Sequence, residues 1–186
     1  MRIRPLTRSD LPRLKEIDAN FESDRFLDVI KSGDGFNVTW QLIERPLDPP
    51  FVSTDYNVAD YELDEIAQRL RRDDGVYLVI EEEARPIGLL DMERQAWRKA
   101  AMLWNLAIDR SFRGQGLGAE LIQRAIAWAR ARQLRAIVLE TQTNNWPACQ
   151  FYRKHGFQLC GIDDHFYSNE DAEEKEVAIF WWYELS

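Results

Sequence analysis

The 186-residue chain contains few of the residues on which disulfide and metal chemistry depend. Its two cysteines, Cys149 and Cys160, form no C-x-x-C motif, and its two histidines are His155 and His165. Two thiols do not suggest a disulfide framework, and two histidines are too few for a convincing metal site. We therefore expect neither a disulfide scaffold nor a metal site.

Long apolar runs are also missing. No run approaches the ~18 residues of a membrane-spanning helix, and the opening MRIRPLTRSDLPRL lacks the apolar block of roughly 7–15 residues that a secretory signal carries. These absences predict no membrane partner and a cytoplasmic location.

Basic residues are outnumbered by acidic ones. The 24 Lys and Arg against 32 Asp and Glu give a net charge of −8. Nucleic acid needs a basic face, so it is not the expected partner. A negative field attracts a cationic ligand, although the same charge also serves solubility. The charge therefore counts as evidence only beside a site found by other means.

The order of strand and helix patterns predicts one mixed α/β (α+β) domain over residues 1–186. The runs VYLVI, PIGLLDM and AMLWNLAI are separated by short polar stretches, which favours antiparallel neighbours. An amphipathic helix follows at 117–132 and leads to the strand AIVLE, a parallel crossover. A helix from about Trp146 to His155 and the strands FQLCGI and VAIFWWYEL complete the pattern, with a solvated acidic loop between the last two.

Residues 21–60 are interrupted by GDG, RPLDPPF and STDYN, and the two adjacent prolines predict no regular element there. A long irregular segment in a compact domain is often a binding lid. Its aromatic and acidic residues, among them Trp40 and Asp55, suit a polyamine through cation–π contacts and ion pairs.

The stretch RSFRGQGLGAE joins a strand to a helix and predicts an anion site, because the first amides of a helix lack backbone partners. A P-loop is excluded, since no Lys follows the glycines. Gly114, Gly116 and Ala119 fit a dinucleotide fingerprint, with Glu140 as its ribose acid. However, DRSFR separates the turn from its strand, and antiparallel-type strands precede it. The third pattern, [QR]-x-x-G-x-[GA], is met by Arg113 with Gly116 and Gly118.

With this third pattern the chain resembles the GNAT superfamily of acetyl-CoA-dependent N-acetyltransferases. LWNLAIDRSFRGQGLGAELI is similar to the cofactor motif of that family, and NNWPACQFYRKHGF is similar to its second motif. More narrowly, LETQTNNWPACQFYRKHGFQLCGID and EVAIFWWYEL resemble the streptothricin acetyltransferases, which acetylate the β-lysine amine of a cationic antibiotic. The ribosomal-protein N-terminal acetyltransferases share less of this sequence with the chain.

The resemblance implies a mixed, mostly antiparallel sheet that is splayed between two parallel strands, with helices on both faces. It implies acetyl-CoA as the co-substrate and no metal. The residues that it assigns to acetyl-CoA are Leu106, Ala107, Ile108, Arg113, Gly114, Gln115, Gly116, Leu117, Gly118, Ala119 and Asn145. Alternatively, Asn145 caps the following helix and has no role in binding the cofactor.

For catalysis the resemblance implies that Glu140 is the base, although a glutamate at a strand end can also simply pair with an arginine. Asp91 and Glu93 on a neighbouring strand are the alternatives, either as base or as substrate contacts. Tyr152 matches the general acid of the family. Because an ordinary phenol is a weaker acid than a thiol by about 1.5 pKa units, we expect this tyrosine to act mainly as a hydrogen-bond donor.

The predicted reaction is acetyl transfer to a primary amine of a cationic small molecule, with streptothricin-type antibiotics favoured. An N-terminal protein acetyltransferase and a non-catalytic acyl-CoA-binding domain are the alternatives. Because members of the family often dimerise, the resemblance also implies a homodimer. The choice among the three carboxylates and the role of residues 21–60 are left open by the sequence.

Overall fold

The computed structural model describes residues 1–54 and 56–185. The chain divides into two units, each with its own contacts. The first comprises Met1–Asn20, Thr54–Leu139 and Tyr183–Ser186, and the second comprises Phe21–Ser53 and Glu140–Trp182. The two units are described in turn.

The strands, in chain order, are β1 (Arg2–Pro5), β2 (Glu22–Asp34), β3 (Asn37–Val52), β4 (Gly75–Glu82), β5 (Arg85–Gln95), β6 (Ala100–Ile108), β7 (Ala136–Gln142), β8 (Gln158–Asp163) and β9 (Ala178–Glu184). The α-helices are α1 (Asp60–Arg72), α2 (Leu117–Ala131), α3 (Trp146–Lys154) and α4 (Asp171–Glu174). Segments of 3₁₀-helix cover Arg8–Glu16, Ala96–Arg98 and Arg110–Phe112.

The first unit contains a mixed sheet in the order β1-β4-β5-β6-β7. The pairs β1–β4, β4–β5 and β5–β6 are antiparallel, and β6–β7 is parallel. The predicted antiparallel relation of the three strand runs is therefore confirmed. So is the parallel crossover through α2, which buries Leu121, Ile122 and Ala125 as its periodicity predicts.

The parallel pair is short, and β6 continues beyond it. Three residue pairs join the strands, from Ala100 opposite Ala136 to Met102 opposite Val138. Within the described residues no later pair joins β6 to β7, whereas β6 stays paired with β5 as far as Ile108. The parting begins beside a bulge, because Leu103 and Asn105 have successive partners on β5 and Trp104 is the extra residue. One edge of β6 is thus left without a strand.

An apolar cluster and an ion pair fix α1 to the sheet of the first unit. Ile66 of α1 belongs to the same buried cluster as Val79 and Leu89. Arg69, which is also buried, donates from Nη2 to Asp91 Oδ2 at 2.7 Å and from Nε to both carboxylate oxygens at 3.1 Å.

Two residues of β6 join this ion pair. Asn105 Nδ2 donates to Asp91 at 3.1 Å, and the Arg69 guanidinium lies 5.1 Å from the ring centroid of Trp104. Burial raises the pKa of Asp91, and Arg69 opposes that shift.

The second unit corrects the prediction for residues 21–60. The segment is not irregular, because β2 and β3 form a long antiparallel hairpin whose tip is the two-residue loop at Gly35 and Phe36. Its role as a binding lid stays a prediction. The register shifts at the adjacent prolines, because Arg25 pairs with Pro46 and Ser23 pairs with Phe51. In the two-stranded sheet β2–β3 both strands are edge strands, where proline is tolerated.

The second unit also contains the antiparallel pair β8–β9 and the loop between these strands. This loop was predicted to be wholly solvated, but it contains α4 and the fully buried Asp171. The Asp171 carboxylate accepts from the backbone N–H groups of Tyr167 at 3.0 Å and Ser168 at 2.6 Å, and from Ser168 Oγ at 2.8 Å. A carboxylate inside the loop therefore holds its conformation.

Replacing Arg69 with methionine is expected to lower the free energy of unfolding by about 3–5 kcal/mol, because Asp91 would keep a buried charge without its partner. The deficit should shrink as the pH falls, since protonation removes that charge. Urea denaturation of the wild type and of Arg69→Met at several pH values measures both effects.

Arg72→Met on the same helix is the matched control. Arg72 pairs with Glu93 but is half-exposed, so its loss should cost no more than about 1 kcal/mol. Equal losses for the two variants would contradict the special cost of the buried pair.

Candidate active site

The glycine turn before α2 has the backbone geometry that the sequence predicts. Gly114 and Gly116 have φ of +77° and +83°, in the left-handed region that favours glycine, and an added Cβ would meet no atom within 4 Å. Gly116 is the N-cap residue of α2, and because it has no side chain it cannot accept hydrogen bonds from the first amides of the helix. The N–H groups of Leu117, Gly118 and Ala119 therefore remain available to an anion.

Arg113, a predicted acetyl-CoA contact, donates hydrogen bonds to the protein's own backbone. Its Nε donates to the Ile108 carbonyl at 3.0 Å and its Nη2 to the Ala19 carbonyl at 2.7 Å. The buried Asp109 accepts from the Ser111 N–H at 3.0 Å and pairs with Arg85. These contacts fix the turn at the end of β6. A direct contact of Arg113 with the cofactor stays a prediction.

Leu106, Ala107 and Ile108 lie on the part of β6 that has parted from β7. All three are half-buried and pair with β5 on one side. Their other edge fits an extended, amide-containing arm, which can pair with an exposed strand as an added strand does. The free edge and the anion-binding turn together match two of the chemical parts of coenzyme A, its pantetheine and its pyrophosphate.

Glu140, the predicted base, is a half-buried carboxylate in the second unit. Its Oε1 accepts a hydrogen bond from Tyr167 Oη. Over residues 1–54 and 56–185 it forms no ion pair with a lysine or arginine, so the alternative of a simple arginine partner is not what the structure shows. Burial raises the pKa of Glu140, the Tyr167 hydroxyl opposes this shift, and the charge of Glu176 adds to it.

The two alternative carboxylates have basic partners. Asp91 is bound by Arg69, and Glu93 accepts from Arg72 Nε at 2.6 Å and Nη2 at 3.0 Å. Among the three candidates, Glu140 is the one that has no cation beside it in the described chain. The geometry therefore favours Glu140 as the residue that receives a proton from an amine.

Asn145, Cys149 and Tyr152 lie at the start of α3 and along it. Asn145 Oδ1 accepts from the Ala148 N–H at 3.2 Å, so this residue does cap the helix. Tyr152 is buried, and its ring meets Phe157 edge-on with 5.4 Å between centroids. Burial raises the pKa of Cys149 to about 12. That thiol is protonated at neutral pH and serves packing rather than acyl transfer.

A family model described as the acetyltransferase (GNAT) family matches residues 40–157, more than half of the chain. The chain belongs to the GNAT acetyltransferase family.

The chain is also similar to individual acetyltransferases. It is 38% identical over 97 residues to a streptothricin acetyltransferase of Escherichia coli, an alignment that covers 52% of this chain and 55% of the relative. The chain thus matches about half the length of that curated relative.

Solved structures extend the likeness to the whole chain. The crystal structure of nourseothricin acetyltransferase has a TM-score of 0.82 at 25% identity, covering 100% of this chain and 98% of that one. A putative streptothricin acetyltransferase from Bacillus anthracis str. Ames, in complex with acetyl coenzyme A, has a TM-score of 0.75 at 26% identity over 98% of both chains. The predicted GNAT fold is confirmed.

The hairpin of this GNAT protein carries Trp40, one of the predicted substrate contacts. Lys31 Nζ lies 5.4 Å from the centroid of the Trp40 ring and 2.8 Å from Asp164 Oδ2. The cation–π partner in the structure is therefore the protein's own lysine. Asp55 lies outside the described residues, and both substrate roles stay predictions.

Tyr167 and Glu176 are residues near Glu140 that the sequence reasoning missed. They belong to the acidic loop between β8 and β9, far from either family motif. The sequence offers one signal, the mixture of aromatic and acidic residues in HFYSNEDAEEKE. No spacing rule ties that mixture to Glu140.

Two further observations concern the described part of the GNAT chain. None of its helices combines the length and apolar character that crossing a membrane requires. It also contains no group of three or more His, Cys, Asp or Glu side chains placed to hold a metal ion.

Replacing Gly116 with alanine is expected to weaken acetyl-CoA binding about 5- to 30-fold, since a left-handed backbone costs a non-glycine residue roughly 1–2 kcal/mol. Isothermal titration with acetyl-CoA measures the change. Gly35→Ala, at another positive-φ glycine with open space around it, is the control and should lower stability without changing the affinity. Unchanged binding by the Gly116 variant would contradict the role of the turn.

Proposed function

We propose that this GNAT protein transfers an acetyl group from acetyl-CoA to a primary amine of a cationic small molecule, with the β-lysine amine of streptothricin-type antibiotics as its substrate. The observation that carries the proposal is Glu140, a half-buried carboxylate without a basic partner in the described chain, beside the negative charge of Glu176. A bound ammonium group would supply the missing positive charge. The similarity to streptothricin acetyltransferases supports the choice of amine.

The amine must lose a proton before it can act as a nucleophile. A lysine-like amine has a pKa near 10.4, so only about one molecule in 2,500 is neutral at pH 7. Glu140 is the proposed acceptor of that proton. Its raised pKa makes it a stronger base than an ordinary glutamate.

The parts of the chain that would hold acetyl-CoA are the free edge of β6 and the turn before α2. When bound, acetyl-CoA supplies the activated acetyl group as a thioester. The amides of Leu117, Gly118 and Ala119 would bind the pyrophosphate. On β6, the amides of Leu106 and Ile108 face away from β5 and would pair with the pantetheine, whereas Ala107 between them is bonded to β5. An amide on that edge is also the proposed donor to the thioester oxygen, where one donor contributes about 3 kcal/mol. Tyr152 is the proposed hydrogen-bond donor to the departing sulfur.

Glu140→Gln is expected to lower kcat about 100-fold or more, as loss of a general base does, with acetyl-CoA affinity changed less than about twofold. Tyr152→Phe should also lower kcat far more than affinity. Steady-state kinetics with thiol detection, together with acetyl-CoA titration, separates the two quantities. Asp91→Asn and Glu93→Gln serve as comparisons, with circular dichroism checking that each variant is folded, because Asp91 belongs to a buried ion pair. A larger loss of kcat in a folded variant would transfer the role of base to that residue.

The substrate is tested by acetyl-CoA turnover with streptothricin and with a panel of N-terminal peptides. We expect turnover with streptothricin, and acetylation at the β-lysine amine by mass spectrometry of the product. Turnover on peptides alone would replace the antibiotic proposal with that of an N-terminal protein acetyltransferase. Absence of turnover on every amine, with acetyl-CoA still bound, would indicate a non-catalytic acyl-CoA-binding domain.

A further inference from the structure

The hydrogen bond from Tyr167 to Glu140 joins a loop residue to the proposed base. We propose that Tyr167 is a positioning residue that holds Oε1 of Glu140 and leaves Oε2 to receive the proton of the amine. The proposal rests on the proposed function of Glu140 as base. It assigns a role to the loop between β8 and β9, which neither family motif includes.

The first support is that this one contact accounts for the hydrogen bonding of the carboxylate. Tyr167 Oη donates to Oε1, and among the described residues no other donor reaches the Glu140 carboxylate. A carboxylate anchored through one oxygen cannot rotate freely, so its second oxygen keeps a fixed direction. Because a general base must lie within hydrogen-bond reach of the proton that it takes, a fixed direction favours proton transfer.

The second support is that Tyr167 is itself held firmly. Its backbone N–H donates to the buried Asp171 carboxylate at 3.0 Å. Its ring lies edge-on to that of Phe166, with 5.0 Å between the ring centroids. The Phe166 ring in turn lies edge-on to that of Phe180, with 5.8 Å between the centroids. The hydroxyl is therefore presented by an anchored backbone and a packed ring, although 41% of the residue remains exposed.

The C-terminal end of the loop is also held by hydrogen bonds. The Val177 N–H donates to Thr143 Oγ1 at 3.0 Å, and Thr143 Oγ1 donates to the Lys175 carbonyl at 3.0 Å. Thr143 follows Glu140 by three residues in the chain. The segment that carries the base and the loop that carries Tyr167 are thus joined at a second point.

The electrostatic consequence follows from the groups that face Glu140. These are the Tyr167 hydroxyl, the Glu176 carboxylate and the Cys149 thiol, with Glu174 and Asp171 acting in turn on Glu176. Burial and Glu176 raise the pKa of Glu140, and the Tyr167 hydroxyl is the group that opposes them. Removing that hydroxyl should raise the pKa further, so that Glu140 becomes ionised only at higher pH.

The experiment compares the wild type with Tyr167→Phe, a change of one oxygen atom on a partly exposed ring. The pKa of Glu140 is measured in the substrate-free protein by ¹³C NMR of labelled glutamate carboxyls, with Glu140→Gln assigning the signal. Loss of a hydrogen bond to a charged group should raise that pKa by about one unit, a tenfold change in proton affinity. The acid limb of the kcat/KM profile should move to higher pH by the same amount, with acetyl-CoA affinity unchanged.

Tyr61→Phe is the matched control, because Tyr61 is 69% exposed on α1 in the other unit. It should leave both the NMR titration and the pH profile as in the wild type. An unmoved Glu140 titration in Tyr167→Phe would overturn the inference whatever the turnover. A moved titration with an unmoved acid limb would overturn the catalytic role. A wild type without turnover on any amine would refute the proposed function instead, and the NMR result would still decide whether Tyr167 controls the carboxylate.

Discussion

The early end of the β6–β7 ladder is the constraint on which the cofactor half of the structure depends. Backbone N–H and C=O groups need partners, and after Met102 one edge of β6 has none on β7 within the described residues. The strand cannot close this gap by itself, because the bulge at Trp104 and the bonds of Asn105 and Trp104 to the buried ion pair fix its course. An extended ligand with its own amides fits the part of that edge that Arg113 does not occupy.

Asp91, Glu93 and Glu140 carry the same functional group in different surroundings, and those surroundings suit the carboxylates to different roles. Asp91 is fully buried and is matched by a buried arginine, so its charge is already used within the core. Glu93 shares its charge with a half-exposed arginine. Glu140 is half-buried and is held only by a neutral phenol in the described chain. A site that must attract a cation and then remove its proton requires this last arrangement, in which the negative charge has not been neutralised.

The sequence predicted what is encoded locally. The strand runs, the crossover through α2 and the glycine turn were all predicted, because periodicity and turn chemistry act over a few residues. The hairpin of residues 22–52 was missed, since its prolines argued against strands and its register shift beside Pro49 and Pro50 cannot be inferred from composition. Tyr167 was missed for another reason. Its bond to Glu140 spans 27 positions, and it depends on Asp171, a buried acid within a run that looks wholly solvated.

Proton transfer from an ammonium group to a carboxylate is the step proposed for Glu140, and partial burial suits that step. In water the two ordinary pKa values, about 10.4 and 4.3, differ by about six units, which makes the transfer unfavourable by about 8 kcal/mol. Burial disfavours both charged forms, so it raises the pKa of the acid and lowers that of the amine, and the two values approach each other. Glu140 already has a raised pKa from burial and from Glu176. A fully buried carboxylate would lose the charge that attracts the amine, and a fully exposed one would stay too weak a base. The Tyr167 hydroxyl opposes the rise in the pKa of Glu140, which is the direction that preserves its charge.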